Sequence, residues 1–225
     1  VEAIPIRLGN LSPETKFVLD YFNAEAPVLK ESMILQVKDL NIDRAYAIDP
    51  SIPVRVAWDI FQEGLTNSLA VVDNDGKITG IASLSNITKS YMDVWDDKII
   101  GRANTPIENI VDVLAAKTLI SPKNPRAFDG KMTVMAMNDE NQDFDNYFSE
   151  GDIVIVGNRI EYLEYLITRK VALVVLTNGS TVSEDLLAYA EENGVTIIST
   201  EYNTFMTSRL LPMTIPVKHV MTEDD

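Results

Sequence analysis

Cysteine is absent from the 225 residues, and histidine occurs once, as His219. The first absence excludes disulfides and thiolate metal sites, which suits a cytoplasmic protein. The second excludes a histidine-rich metal site, and His219, in the apolar stretch between Pro216 and Met221, reads as a structural residue. Long apolar runs are missing too. Val171–Leu176 falls far short of the roughly 20 residues that a membrane span needs, and the opening Val1–Ile6 lacks the basic start and apolar stretch of a signal peptide. Positive charge is scarce: 19 Lys and Arg stand against 34 Asp and Glu, for a net charge of -15. With no Lys/Arg cluster to offset that field, nucleic acid is not an expected partner. The charge reads first as a solubility device.

Catalytic signatures are also missing. Gly151 and Gly157 flank a strand but lack the spacing of a dinucleotide turn. Neither a phosphate-loop lysine, a serine-hydrolase elbow nor a zinc-protease helix is found. The acid pairs Asp96–Asp97 and Asp224–Asp225 are sequence neighbours and read as solvated loops.

What is present has ordinary globular proportions, 46% apolar and 24% charged, and a length that suggests two domains. Residues 3–8 form a strand candidate. Ser12 caps a helix with Pro13 at its first position and Phe17, Val18, Tyr21 and Phe22 at helical spacing. Such a piece cannot bury a core alone. Residues 32–94 then run strand (45–48), helix (54–65), strand (69–72), turn (Asp73–Gly76), strand (78–82) and helix (84–92). The helix carries Val56, Ile60 and Phe61 as an apolar face. Residues 95–103 are polar and read as a linker. Residues 104–211 alternate helices at 105–114, 159–169, 183–193 and 204–211 with strands at 131–136, 152–156, 171–176 and 195–199. That order predicts an α/β fold with a parallel sheet. Val37-Lys38-Asp39-Leu40 is echoed by Val217-Lys218-His219-Val220, each where a module would begin.

The stretch from Gly80 to Ile87 is the most informative. A strand glycine admits another backbone or a ligand. Ser83 stands where strand becomes helix, and Asn86 lies three residues on, on the same side of the first turn. A hydroxyl and an amide at that spacing can hold a ribose diol beside a phosphate. They can equally form a plain helix cap.

On these residues the chain resembles known families. Val37–Leu40, the Leu69–Asp73 strand, the Gly76 turn and the closing Gly80–Ile87 resemble a CBS domain, with Asn86 in the place of the family's aspartate. Asn158-Arg159 and Thr177-Asn178-Gly179, with 151–157 and 199–205, resemble the DRTGG domain, named for its Asp-Arg and Thr-Gly-Gly motifs. Ala3–Gly9, Pro13–Phe22 and Glu25-Ala26-Pro27 resemble part of the catalytic domain of family II inorganic pyrophosphatases. The order of parts covers nearly the whole chain. The fold it implies is mixed α/β, a CBS module (32–94) plus a Rossmann-like DRTGG domain (104–211). A catalytic-domain fragment (1–31) precedes them, and the start of a second CBS motif (212–225) follows.

The resemblance implies a regulatory fragment of an enzyme that hydrolyses diphosphate with manganese or cobalt, the metal ligands lying outside this chain. It implies control by adenine nucleotides, AMP or ADP inhibiting and ATP or a dinucleotide activating. Gly80, Ser83, Asn86, Ile48, Asn67, Ser68 and Leu69 would form the nucleotide site, and a homodimer is expected. Two alternatives stand beside it: a free-standing CBS/DRTGG sensor with no enzyme attached, and a dimerisation module with a dead nucleotide site. The chain opens on Val1 rather than Met and stops just after 215–222, a segment that should lead into something. Both ends are expected to be cut.

Overall fold

A computed structural model describes residues 3–32, 34–42, 45–64, 66–92, 96–136 and 144–223. The chain divides into two compact units, Val1–Arg44 and Ala45–Asp225. Leu65 and the Asp224–Asp225 pair, which entered the sequence reading, lie outside the described residues.

In the first unit β1 (Ile6–Arg7) pairs in parallel with β2 (Val28–Leu29), with α1 (Pro13–Tyr21) between them. Ser12 caps α1, its Oγ accepting from the Thr15 N–H at 3.1 Å. No residue of α1 is buried, and Phe17 stays 69% exposed. Two short strands and one helix supply too little surface for a core. The strand is shorter than the six residues expected, and β2 had no sequence signal. Val37–Asp39 forms a single 3₁₀ turn.

The second unit begins with β3 (Ala47–Ile48), α2 (Val54–Gln62), β4 (Ser68–Val72), β5 (Ile78–Ser83) and α3 (Leu84–Met92). The β4–β5 hairpin turns at Asp73–Gly76 as expected. Asp73 Oδ1 accepts from the N–H groups of Asp75 (3.0 Å) and Lys77 (2.8 Å), and Gly76 supplies a φ of 77°. The buried stripe of α2 is Val54, Ala57 and Phe61. Val56 is 41% exposed and Ile60 only borders the core. The face named from sequence therefore mixed two sides of the helix.

Next come α4 (Ile99–Arg102), α5 (Ile107–Val113), β6 (Lys117–Ile120), β7 (Met132–Val134), α6 (Phe144–Tyr147), β8 (Ile153–Val156), α7 (Leu163–Thr168), β9 (Leu173–Leu176), α8 (Glu184–Glu192), β10 (Thr196–Ser199), α9 (Thr204–Leu210) and β11 (Thr222–Glu223). The sheet order β6-β10-β9-β8-β7 is parallel from β7 to β10, as the alternation required. The edge strand β6 runs antiparallel to β10 and was not foreseen. A second sheet has the order β11-β5-β4-β3. Among the described residues no helix is long and apolar enough to cross a membrane.

Strands β8, β9 and β10 of the large sheet are buried on both faces, which explains the unbroken apolar runs of β8 and β9. Successive residues alternate between two cores. Ile153, Ile155, Leu173 and Val175 pack into one that also holds Leu69, Ile87, Ile100 and Val217. Val154, Val156, Val174 and Leu176 pack into the other, against α7 and α8 residues such as Leu166 and Ala190. The first core thus joins the two sheets. Within 95–103, read from sequence as a linker, Ile99–Arg102 is helical and Ile100 is fully buried in the shared core. The end of the chain is stitched to the β3–α2 loop. Val54 N–H donates to Ile215 O (2.9 Å), Val217 N–H to Ile52 O (2.9 Å) and Lys218 N–H to Pro50 O (3.0 Å). Asn109 of α5 donates to Ser51 O and Thr214 O, each at 3.1 Å. The sequence echo has a structural counterpart, because Val217–His219 is also a single 3₁₀ turn.

Candidate functional site

β5 runs directly into α3 at Ser83, and the helix's first free amides are satisfied by a reciprocal cap. Ser83 N–H donates to Asn86 Oδ1 (3.0 Å), and Asn86 N–H donates to Ser83 Oγ (3.2 Å). A short hydroxyl–amide contact closes the pair. The Asn86 Nδ2 group donates outward to Thr222 Oγ1 at 3.3 Å.

The β4–β5 register sets Ser68 opposite Ser83, and Leu84 N–H donates to Asn67 O (3.2 Å). Asn67, Ser68, Ser83 and Asn86 therefore gather at one end of the sheet. Gly80, Ile48 and Leu69 are interior. Gly80 and Ile48 both align with Val71, three residues or roughly 10 Å along the strand from Ser68. Ile48 and Leu69 are buried. A Cβ on Gly80 would stand 2.6 Å from Thr222 O and 2.9 Å from Met221 Sδ. The backbone that approaches this glycine is β11. Tyr46, not singled out from sequence, borders the same end of the sheet with its ring partly exposed and its carbonyl accepting from Ala70 N–H (2.9 Å).

Beside α3 lies a cleft of about 1000 Å³ walled by Asn86 and by residues of α3, α4, β7 and α9. Its floor is apolar, with Met132, Val134, Ile155 and Leu211. Its rim carries Lys89, Arg102, Arg209 and His219. Arg102 is ion-paired with Asp96. Arg209 Nε donates to the Tyr91 hydroxyl at 2.9 Å, and its guanidinium lies 5.8 Å from the Tyr91 and Phe205 ring centroids. Partial burial, aided by the Arg102 charge, holds the His219 pKa below its usual value. Sequence reading missed this cleft because its walls come from elements far apart in the chain.

The two DRTGG-like motifs follow β8 and β9, at the carboxyl ends of adjacent parallel strands. Arg159 Nη1 lies 3.7 Å from Glu161 Oε1, a surface ion pair. Thr177 Oγ1 is 3.1 Å from Thr204 Oγ1, tying the β9 loop to α9. Among the described residues no three of His, Cys, Asp and Glu converge to hold a metal ion.

The fold is a CBS module sharing a core with a DRTGG domain. The CBS family model matches residues 37–93 and the DRTGG family model residues 109–214. A solved structure of the CBS and DRTGG domains of the regulatory region of Clostridium perfringens pyrophosphatase, complexed with its activator diadenosine tetraphosphate, is 36% identical. Its TM-score is 0.78, over 85% of this chain and 83% of that one. The chain belongs to this family, the CBS–DRTGG regulatory regions of inorganic pyrophosphatases. It is 40% identical, over 99% of its length, to the cobalt-dependent inorganic pyrophosphatase of Clostridium perfringens. It is 25% identical, over 98%, to a probable manganese-dependent inorganic pyrophosphatase of Thermotoga maritima. The chain spans about 40% of the length of each of these relatives.

Proposed function

We propose that this chain senses adenine nucleotides on behalf of an inorganic pyrophosphatase, a manganese- or cobalt-dependent enzyme whose catalytic residues lie in the same polypeptide outside these 225 residues. The observation that carries the reading is the Ser83–Asn86 pair at a strand-to-helix junction, with Asn86 also lining the cleft. An adenine ribose would take over these hydrogen bonds, with Asn67 and Ser68 bordering the base. AMP, ADP, ATP and a diadenosine polyphosphate are the candidate ligands. The last is the activator of the C. perfringens relative. In this reading the protein works in the cytoplasm as a homodimer, for which the exposed Val56 of α2 offers an apolar contact. Light scattering at micromolar concentration checks the dimer, and a monomeric mass counts against it.

A second reading has its own observation. Ser83 and Asn86 already satisfy each other, so the motif also works as a structural cap in a sensorless dimerisation module. Thermal shift separates the two. A nucleotide at 100 times its dissociation constant stabilises by roughly 2.7 kcal/mol. No shift with AMP, ADP, ATP or diadenosine tetraphosphate would leave only the structural role.

A further inference from the structure

We propose that Asn109 of α5 is a positioning residue for the regulatory site, a clamp through which the DRTGG domain sets nucleotide affinity without touching the nucleotide. This rests on the nucleotide reading above and adds a regulation of that site.

The half-buried side-chain amide of Asn109 donates to Ser51 O and to Thr214 O, each at 3.1 Å, reaching partners 58 and 105 residues away. An amide NH₂ has two hydrogens, and both are spent here. Ser51 lies in the loop between β3 and α2, and Thr214 leads into the tail that ends in β11. Loop and tail pair through Val54 N–H to Ile215 O, Val217 N–H to Ile52 O and Lys218 N–H to Pro50 O. At the middle of this pairing Pro53 faces Pro216, and neither has an N–H to give. Around it the contact between the two sheets is apolar core, with Val217, Ile100 and Leu69. Apolar packing is non-directional, so the register of loop against tail is left to the hydrogen bonds. Asn109 adds two of them from a third element.

Both stretches run into the site. The loop follows Ile48 of β3. The tail passes through the turn at Val217–His219 to Met221 and Thr222, which lie against Gly80. Thr222 pairs with Ile81 and Glu223 with Gly80, and Thr222 Oγ1 accepts from Asn86 Nδ2. A shift of the tail therefore moves the partner of Asn86, while Asn109 itself stands outside the cleft wall.

The test is isothermal titration of the 225-residue chain with ATP, comparing wild type with Asn109→Ala, Asn109→Asp and Thr200→Val. Asn109→Asp keeps the shape but sets a carboxylate against two carbonyl oxygens. Thr200→Val breaks the hydrogen bond to Leu114 O at the other end of α5 and controls for plain loss of stability. Asn109→Ala should weaken ATP binding roughly three- to tenfold and Asn109→Asp at least as much, with Thr200→Val within about twofold of wild type. An Asn109 with a purely structural role would lower the urea midpoint and leave affinity unchanged. That result, or an equal affinity loss in Thr200→Val, overturns the clamp and leaves the nucleotide reading standing. A wild type that binds no ATP removes both. If the Asn109 variants do not fold, hydrogen exchange of the wild type decides, because coupling is reciprocal. Saturating ATP should slow exchange at the Val54, Val217 and Lys218 amides by about fivefold or more. Unchanged exchange there, with protection gained around Ser83 and Asn86, rejects the clamp.

Discussion

The side-chain amide of Asn86 donates to the hydroxyl of Thr222 at 3.3 Å, across a sequence separation of 136 residues. The residue that closes the CBS-type motif is thus bonded to the strand that ends the described chain. Any ligand that draws on Asn86 competes with, or reinforces, the hold on β11.

The reciprocal cap should matter for both stability and binding. Ser83→Ala with Asn86→Ala is expected to lower unfolding free energy by about 1–2 kcal/mol, read from urea midpoints. Nucleotide affinity should fall about ten- to a hundredfold in the same protein. Asn86→Asp keeps the acceptor of the cap. It should tighten binding if a ribose diol is the contact and loosen it if phosphate is.

Gly80→Ala places a methyl group against the Thr222 carbonyl, which is backbone and cannot step aside alone. A loss of roughly 1–3 kcal/mol is expected. Hydrogen exchange should show β11 loosened while β8 to β10 stay protected. A variant as stable as the wild type would mean that β11 is not seated on β5 in solution.

Thr200 is buried, and its hydroxyl donates to Leu114 O at 2.6 Å, locking the end of α5 to the loop after β10. Thr200→Val keeps the shape and strands the carbonyl. The expected cost is about 1–3 kcal/mol in chemical denaturation.

His219 should make stability depend on pH. Its folded pKa lies below the ordinary imidazole value of 6.5, because burial and the Arg102 charge disfavour imidazolium. As pH falls below 6.5 the unfolded chain takes up the proton first, so stability declines until the folded pKa is passed. His219→Gln should flatten this part of the profile, measured as urea midpoints between pH 5 and 8. An anion bound at the rim should raise the His219 pKa, visible by NMR titration.

The sequence alone determined the elements whose signals are local. Ser12 and Ser183 cap helices because their hydroxyls meet amides three residues on, and the Asp73–Gly76 turn closes on its own aspartate. The runs at β8 and β9 could only be strands buried on both faces, and alternation with helices made them parallel. Both domains were legible as resemblances to known families, through the Gly80–Ile87 stretch and the Asn158-Arg159 and Thr177-Asn178-Gly179 motifs, and the family models match them.

Tertiary structure alone decided the rest. Strand β6 carries no strong strand signal at Lys117–Ile120 and exists because β10 offers it an edge. The polar-looking stretch around Ile100 becomes helix because a core shared by two sheets takes that one side chain. Gly80 announces a close approach, but only the folded chain shows that the visitor is Thr222. The cleft depends on α3, α4, β7, β8 and α9 converging, with Lys89, Arg102 and Arg209 drawn from three different helices. Capping and periodicity act within about four residues of a position, where sequence records them. Which distant surfaces meet is set by how the whole chain buries its apolar area, and no local pattern records that.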